Sequence, residues 1–305
     1  MRQTALYTVF ELAKQNPKVV FVGSDLGAGT LKEMQIELPN QFFMEGIAEQ
    51  HLIGFVSGLA KEGFIPYVNT IANFFTRRAF EQIAMDIALH NLPVRLLASG
   101  GGMVYAPLGP THTAIDDLAL MCSIPKLRVF APGDANEMRN LVLESVNDPN
   151  PWYIRFGKGG EPIFSAEKQL NSYLPKFIGE KGNKFLIFTT GILIHEALSA
   201  REKLKSKFDI NISIIHFPEI SNIYLDLWID QCNSSTQILI IEEHIPIGGL
   251  FTRVLSVLWG KGIKVKQIAQ KSLPFAYLHK YGNQKDHLRA HGLDESGIVD
   301  TIRSM

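Results

Sequence analysis

Short, mostly apolar runs alternate along the first half of the chain with stretches in which apolar side chains return every three or four positions. Residues 19–23, 65–69, 94–99, 127–131 and 152–156 have the composition of strands buried on both faces. Between them, Ile47, Leu52, Phe55, Val56 and Leu59 fall at helical spacing, as do Phe75, Ala79, Phe80, Ile83 and Ile87. This alternation predicts a doubly wound α/β domain over residues 1–166. The pattern then turns polar and irregular, and residues 167–182, with Pro175 and Gly182, are expected to be a linker. A second α/β domain is expected over 183–305, with strands at 185–189, 210–217, 237–242 and 263–268, helices at 192–204 and 249–259, and a short terminal helix near 291–298. No internal repeat or low-complexity segment interrupts either half.

Bulk properties narrow the function without naming it. The 305 residues are enough for two cores. Basic and acidic residues number 30 each, so the formal net charge is zero, and no block of one sign occurs. That argues against a general nucleic-acid or anionic-membrane role. Cys122 and Cys232 lie far apart without metal-ligand spacing and read as reduced, buried thiols. No apolar run approaches the roughly 18 residues that span a bilayer, and the first residues lack a signal-peptide h-region. The expected compartment is therefore the cytoplasm.

Three segments concentrate reactive side chains. Gly46-Ile47-Ala48-Glu49-Gln50-His51 places Glu49 near the start of an otherwise apolar helix, after Phe42, Phe43 and Met44. By position alone it is a glutamate favoured by the helix dipole. The run from Asn73 to Phe80 carries Phe74, Phe75 and Phe80, which by pattern alone are core, and Arg78, which by pattern alone is a solvated helix residue. Gly109-Pro110-Thr111-His112 puts a histidine in a turn.

Together these segments resemble the thiamine diphosphate site of transketolases and of 1-deoxyxylulose-5-phosphate synthases. The resemblance covers nearly all of the chain and is to the C-terminal part of those enzymes, as in the second product of a split transketolase gene. It implies a thiamine diphosphate pyrimidine-binding domain followed by a transketolase C-terminal-like domain. That cofactor works when its aminopyrimidine is pushed toward the imino tautomer, which a carboxyl group in a dry pocket drives by sharing a proton with the ring. The resemblance gives this catalytic role to Glu49. It gives stacking on the pyrimidine to Phe75, with Phe74 as the substitute, and a cofactor-side basic position to Arg78. His112 matches the histidine that faces the substrate, where an imidazole polarises a carbonyl or exchanges protons. His51, in the first motif, is a weaker substrate-side candidate that equally reads as a packed helix residue. Lys158, in Arg155-Phe156-Gly157-Lys158-Gly159, keeps a positive charge in a stretch where the synthases bind phosphate.

Departures from the family limit the substrate inference. Leu108 stands where many relatives carry an acidic residue, and it accepts no hydrogen bond. Ala72 replaces a second aromatic of the pocket, and Ala131 replaces the sugar-phosphate arginine of transketolases, as in the synthases. Gly100, Gly101 and Gly102 replace larger polar residues, giving either a roomier acceptor site or a tight turn. Thiamine enzymes hold the diphosphate through Mg²⁺ on a Gly-Asp-Gly segment followed by an asparagine, and no such segment occurs. Gly133-Asp134-Ala135-Asn136 is the nearest string, with Asp134 expected as a helix N-cap. No metal ligands are therefore assigned to this chain.

The resemblance thus implies half of a site. The companion would be an N-terminal transketolase-like subunit carrying the diphosphate and Mg²⁺ ligands, in an α2β2 heterotetramer. The expected activity is transfer of a two-carbon unit from a ketose or 2-oxo donor to an aldehyde acceptor. A 1-deoxyxylulose-5-phosphate synthase-like enzyme, the beta subunit of a 2-oxoacid dehydrogenase and a non-catalytic scaffold subunit remain alternatives. The pair Glu242-Glu243 is not expected to be catalytic, because adjacent residues at a strand end point to opposite sides.

Overall fold

The computed structural model describes residues 1–305 and contains two sheets. The first has six strands, β1 (Val19–Gly23), β2 (Phe42–Met44), β3 (Ile65–Ile71), β4 (Arg95–Ser99), β5 (Arg128–Phe130) and β6 (Trp152–Phe156). Their spatial order is β2-β1-β3-β4-β6-β5, and every pairing is parallel. Successive residues face opposite sides. Val22, Val68, Leu96, Val129 and Tyr153 enter one core with the helices Glu49–Lys61 and Ala72–Arg78. Phe21, Tyr67, Leu97, Phe130 and Ile154 enter another with the helices Arg2–Gln15 and Ala135–Ser145. Helices on both faces explain why these strands read as continuous apolar runs.

The second sheet has five strands, β7 (Lys176–Ile178), β8 (Phe185–Thr189), β9 (Ile212–His216), β10 (Gln237–Ile241) and β11 (Gln267–Lys271), ordered β11-β10-β8-β9-β7. Only β7 is antiparallel. It lies inside the stretch expected to be a linker, which therefore also supplies an edge strand. Its three half-buried residues are too short a run to show a period. The strand expected at 263–268 forms instead as β11, because pairing of Gln237 with Gln267 sets its register and leaves Ile263 and Val265 packed on the core. The expected terminal helix is two helices, Gln284–Ala290 with an Asn283 capping box and Glu295–Ser304 capped by Asp294, separated at Gly292 with φ 65°. The latter buries Ile298, Val299 and Ile302 in a core shared with the helix Leu193–Phe208.

The two domains are joined by buried charge as well as by apolar packing. Asp134 Oδ1 accepts from Glu137 N at 2.8 Å, so it caps the helix Ala135–Ser145, and its other oxygen accepts from Phe164 N and Ser165 N. One turn later, the Glu137 carboxylate accepts from Gly133 N at 2.7 Å, His216 Nε2 at 3.0 Å and Lys176 Nζ at 2.5 Å. Burial pushes the Glu137 carboxyl up, but His216 and Lys176 outweigh it and hold the group at about 2. No helix is long and apolar enough to cross a membrane.

A folded-state pKa near 2 against an ordinary 4.5 means that this cluster contributes stability above about pH 4.5 and loses it as pH falls toward 2. Glu137→Gln is expected to lower stability by about 3 kcal/mol at neutral pH, and its deficit relative to wild type should shrink toward pH 2. Melting curves of both proteins across this range check it; a deficit independent of pH would remove the cluster from the acid response.

Candidate functional site

Residues at 49, 52, 53, 56 and 60 share one face of the helix Glu49–Lys61, and four of them are the buried Leu52, Ile53, Val56 and Ala60. Glu49 is therefore carried into the apolar interface by its position one turn before Leu52 and Ile53, and is only 2% exposed. The helix starts beside the C-terminal end of the first sheet, after Gly46, whose φ of 80° makes the turn out of β2. In parallel α/β sheets this edge is where ligands bind.

The Glu49 carboxylate has two partners. Oε1 accepts from Thr70 Oγ1 at 3.3 Å and Oε2 from Arg78 Nη1 at 3.0 Å. Thr70 is the buried penultimate residue of β3, and Ser24 Oγ lies 3.0 Å from its hydroxyl. Arg78, in the last turn of the helix Ala72–Arg78, lays its guanidinium 4.0 Å from the Phe74 ring centroid. Phe74 in turn meets the His112 ring edge-on at 5.3 Å. Glu49, Arg78, Phe74 and His112, drawn from three separate sequence segments, thus form one row. Asn73 binds the third segment to the second by donating to Thr111 O at 2.6 Å. Thr111 Oγ1 and His112 Nδ1 lie 2.9 Å apart, and the turn relies on Gly109 at φ 84°.

Beside this row is a cleft of about 570 Å³ lined by Ile47 to His51 with Arg77 and Arg78. His51 is exposed there, pairing with Glu45 at 3.1 Å and stacking over Phe55. Phe75 lies elsewhere: it has no exposed surface and turns its ring edge to Tyr153 within the core. Of the two adjacent rings, Phe74 is the accessible one in this state. Lys158 is exposed in the loop after β6, two strands from β3 in the sheet order, or roughly 10 Å. The cleft combines a buried carboxyl with a cation, and the half-buried Phe74 ring lies against that cation, a set that could hold and protonate a flat basic heterocycle.

The glycine run does not enlarge a substrate site. A side chain at Gly100 would strike Tyr105, one at Gly101 would strike Arg155, and one at Gly102 would strike Glu243. Those places are filled by the domain interface, where Arg155 Nη1 donates to Asp117 Oδ1 at 2.9 Å and Nη2 to Glu243 O at 2.7 Å. Tyr153 donates to the other Asp117 oxygen at 2.8 Å. Glu242 points away from Glu243 and receives Leu250 N and Phe251 N at the start of the helix Leu250–Gly260. Of the two cysteines expected to be buried, Cys232 is and Cys122 is half-buried; desolvation pushes both thiols up to about 12, which makes them poor nucleophiles. Sequence reasoning did not single out Thr70 or Asn73. The only signal for either was a polar side chain next to an apolar strand, which does not reveal its partner.

The Glu49–Arg78 pair is buried on one side only, since the Arg78 side chain is 47% exposed. A double-mutant cycle with Glu49→Gln and Arg78→Ala is therefore expected to give a coupling of about 1 kcal/mol. Chemical denaturation of the four proteins measures it, and additive losses would show that the pair is not formed in solution.

The family model described as transketolase, pyrimidine binding domain, matches residues 1–160, and that described as transketolase, C-terminal domain, matches residues 177–298. The chain is 33% identical over 306 aligned residues to 1-deoxy-D-xylulose-5-phosphate synthase of Syntrophus aciditrophicus, covering 98% of this chain and 46% of that protein. It thus spans about half the length of the curated relatives it matches. A split gene transketolase, solved as an inactive beta4 tetramer, superposes with a TM-score of 0.87 at 29% identity, over 99% of this chain and 96% of that one. A transketolase from Pichia stipitis in complex with sedoheptulose 7-phosphate gives a TM-score of 0.81 at 17% identity, over 99% of this chain and 45% of that one, a likeness of fold.

Proposed function

The chain belongs to the transketolase family by both of its domains, and from that premise we propose that it is the pyrimidine-binding part of a thiamine diphosphate-dependent transferase. The reaction is transfer of a two-carbon unit from a ketose or 2-oxo donor to an aldehyde acceptor. The observation that carries this reading is Glu49, a carboxyl buried on an apolar helix face at the ligand-binding edge of a parallel sheet. When bound, the cofactor supplies a nucleophilic carbon that adds to the donor carbonyl.

The remaining roles fall to this chain's own side chains. Glu49 shares a proton with the pyrimidine ring once Arg78 gives up its hold on Oε2. Arg78 then stays beside the cofactor as a counter-charge. An aromatic wall comes from the helix Ala72–Arg78, where the half-buried Phe74 ring beside Arg78 offers the stacking surface while Phe75 packs in the core. His112 stands on the substrate side, where its imidazole exchanges a proton with the donor oxygen. His51 and Lys158 form the outer rim, Lys158 as the point charge for a substrate phosphate.

The diphosphate and its Mg²⁺ are held by another polypeptide, an N-terminal transketolase-like subunit, in an α2β2 assembly in the cytoplasm. Support for a partner comes from the match over 96% of a chain described as a split gene transketolase. Asp134, the nearest candidate for a metal-binding aspartate, is engaged in capping. A synthase-like reaction is the second reading, favoured by the 33% identity to a 1-deoxy-D-xylulose-5-phosphate synthase and by Ala131 at the position where the two enzyme classes differ.

Calorimetry of thiamine diphosphate with Mg²⁺ is expected to show tight binding only when this chain is mixed with the diphosphate-domain partner. Tight binding by the chain alone would sink the divided site. In the reconstituted enzyme Glu49→Gln should lower kcat by roughly 10²-fold or more, since the amide cannot exchange a proton with the ring nitrogen; unchanged turnover would remove Glu49 from the chemistry.

A further inference from the structure

His112 sits on a loop whose two ends are both held by one tripeptide of the other domain. The loop leaves the first sheet after β4 and returns to it at the helix Asp117–Cys122. Its base is closed by a pair of backbone bonds, Gly102 N to Ala114 O at 2.8 Å and Ala114 N to Gly102 O at 3.0 Å. On both sides of that pair the second domain takes over. Met103 N donates to Glu243 Oε1 at 2.9 Å on the outgoing side. On the returning side Ile245 N donates to Ile115 O at 2.8 Å, and Ala119 N donates to His244 Nε2 at 3.2 Å. His244 is set to accept there because its Nδ1 donates to Ile245 O at 2.8 Å. Met103, Ala106 and Ile115, all from the loop, belong to the core of the second domain.

Glu243 is the hinge pin of this arrangement. It is 5% exposed, and its carboxylate is fixed from the far side by Gln284 Nε2, at 2.8 and 3.0 Å from its two oxygens. Arg155 adds a charge contact at 3.6 Å and a bond to the Glu243 carbonyl. Gly102, at φ 63°, is the residue that lets the carboxylate approach the loop, since any side chain there would collide with it. Toward its tip the loop is held by Asn73 and by the Phe74 edge contact, both from the helix that also bears Arg78, and Tyr105 Oη accepts from Arg2 Nη1 at 3.4 Å.

We propose that Glu243, backed by Gln284, is a positioning residue for the His112 loop, so that the second domain sets where the substrate-side histidine stands. This rests on the reading of His112 given above. It also assigns the second domain a part in turnover beyond assembly.

Hydrogen exchange on the full chain tests the clamp without substrate or partner. Glu243→Ala should speed exchange of the Met103 and Ala114 amides about tenfold while leaving Ile240 in β10 unchanged. Gln284→Ala, a half-buried site where folding is not at stake, should move the same two amides in the same direction by less. Unaltered exchange at both amides in Gln284→Ala and in any folded Glu243→Ala overturns the clamp. In the reconstituted enzyme the expected signature is a lower kcat with unchanged thiamine diphosphate affinity. Full turnover in the Glu243→Ala and Gln284→Ala enzymes beside lost turnover in His112→Ala would overturn the positioning role. Loosened exchange with no effect of His112→Ala on turnover would instead overturn the role of His112.

Discussion

A guanidinium buried at the end of β6 has to be neutralised, and much of the domain arrangement follows from how this is done. Arg155 is 7% exposed, and removing a charge from water costs several kcal/mol unless good partners replace it. One partner, Asp117, belongs to its own domain, and the other, Glu243, to the next. Neither alone accounts for the fork of donors on Arg155, so the second domain is drawn to a fixed place over the edge of the first sheet. The small residues at 101 and 102 are then required by space, since the ion cluster fills the volume their side chains would take.

The same cluster separates what was legible in the sequence from what was not. The inner strands could be read because each is a long apolar run, and Val19–Gly23, Trp152–Phe156 and Phe185–Thr189 form where their composition places them. β2 and β7 have three residues each at sheet edges and are mostly half-buried, so they lack the flanking apolar run that made the equally short β5 readable. Gly100 to Gly102 could be recognised as unusual, but the groups that fill their space, Tyr105, Arg155 and, some 140 residues away, Glu243, could not be read from the run itself. Asp134 was legible because an N-cap is a local device, complete within four residues.

For the candidate site, residue types were legible and partnerships were not. Glu49 and His112 stood out by motif, yet the row that joins them passes through Arg78 and Phe74, whose side chains meet only because β3 and its following helix bring them to the same edge. Phe75 shows the opposite limit. Its spacing with Ala72, Ala79, Ile83 and Ile87 is that of a core stripe, and in this state the ring obeys the stripe. A residue that serves both packing and binding looks, in a single sequence, like packing alone.

The core that covers one face of the first sheet does not stop at the domain boundary. Val129, Ala131 and Tyr153 share a continuous cluster of 36 buried residues with Leu186, Phe188, Phe217, Trp228 and Ile240 of the second domain. The two family domains are thus separable as text but not as energetic units. A chimera joined at the polar stretch between them would need to carry over the apolar seam and the Arg155 fork together. Recombination that respects only the family boundary would yield halves whose exposed seams no longer match.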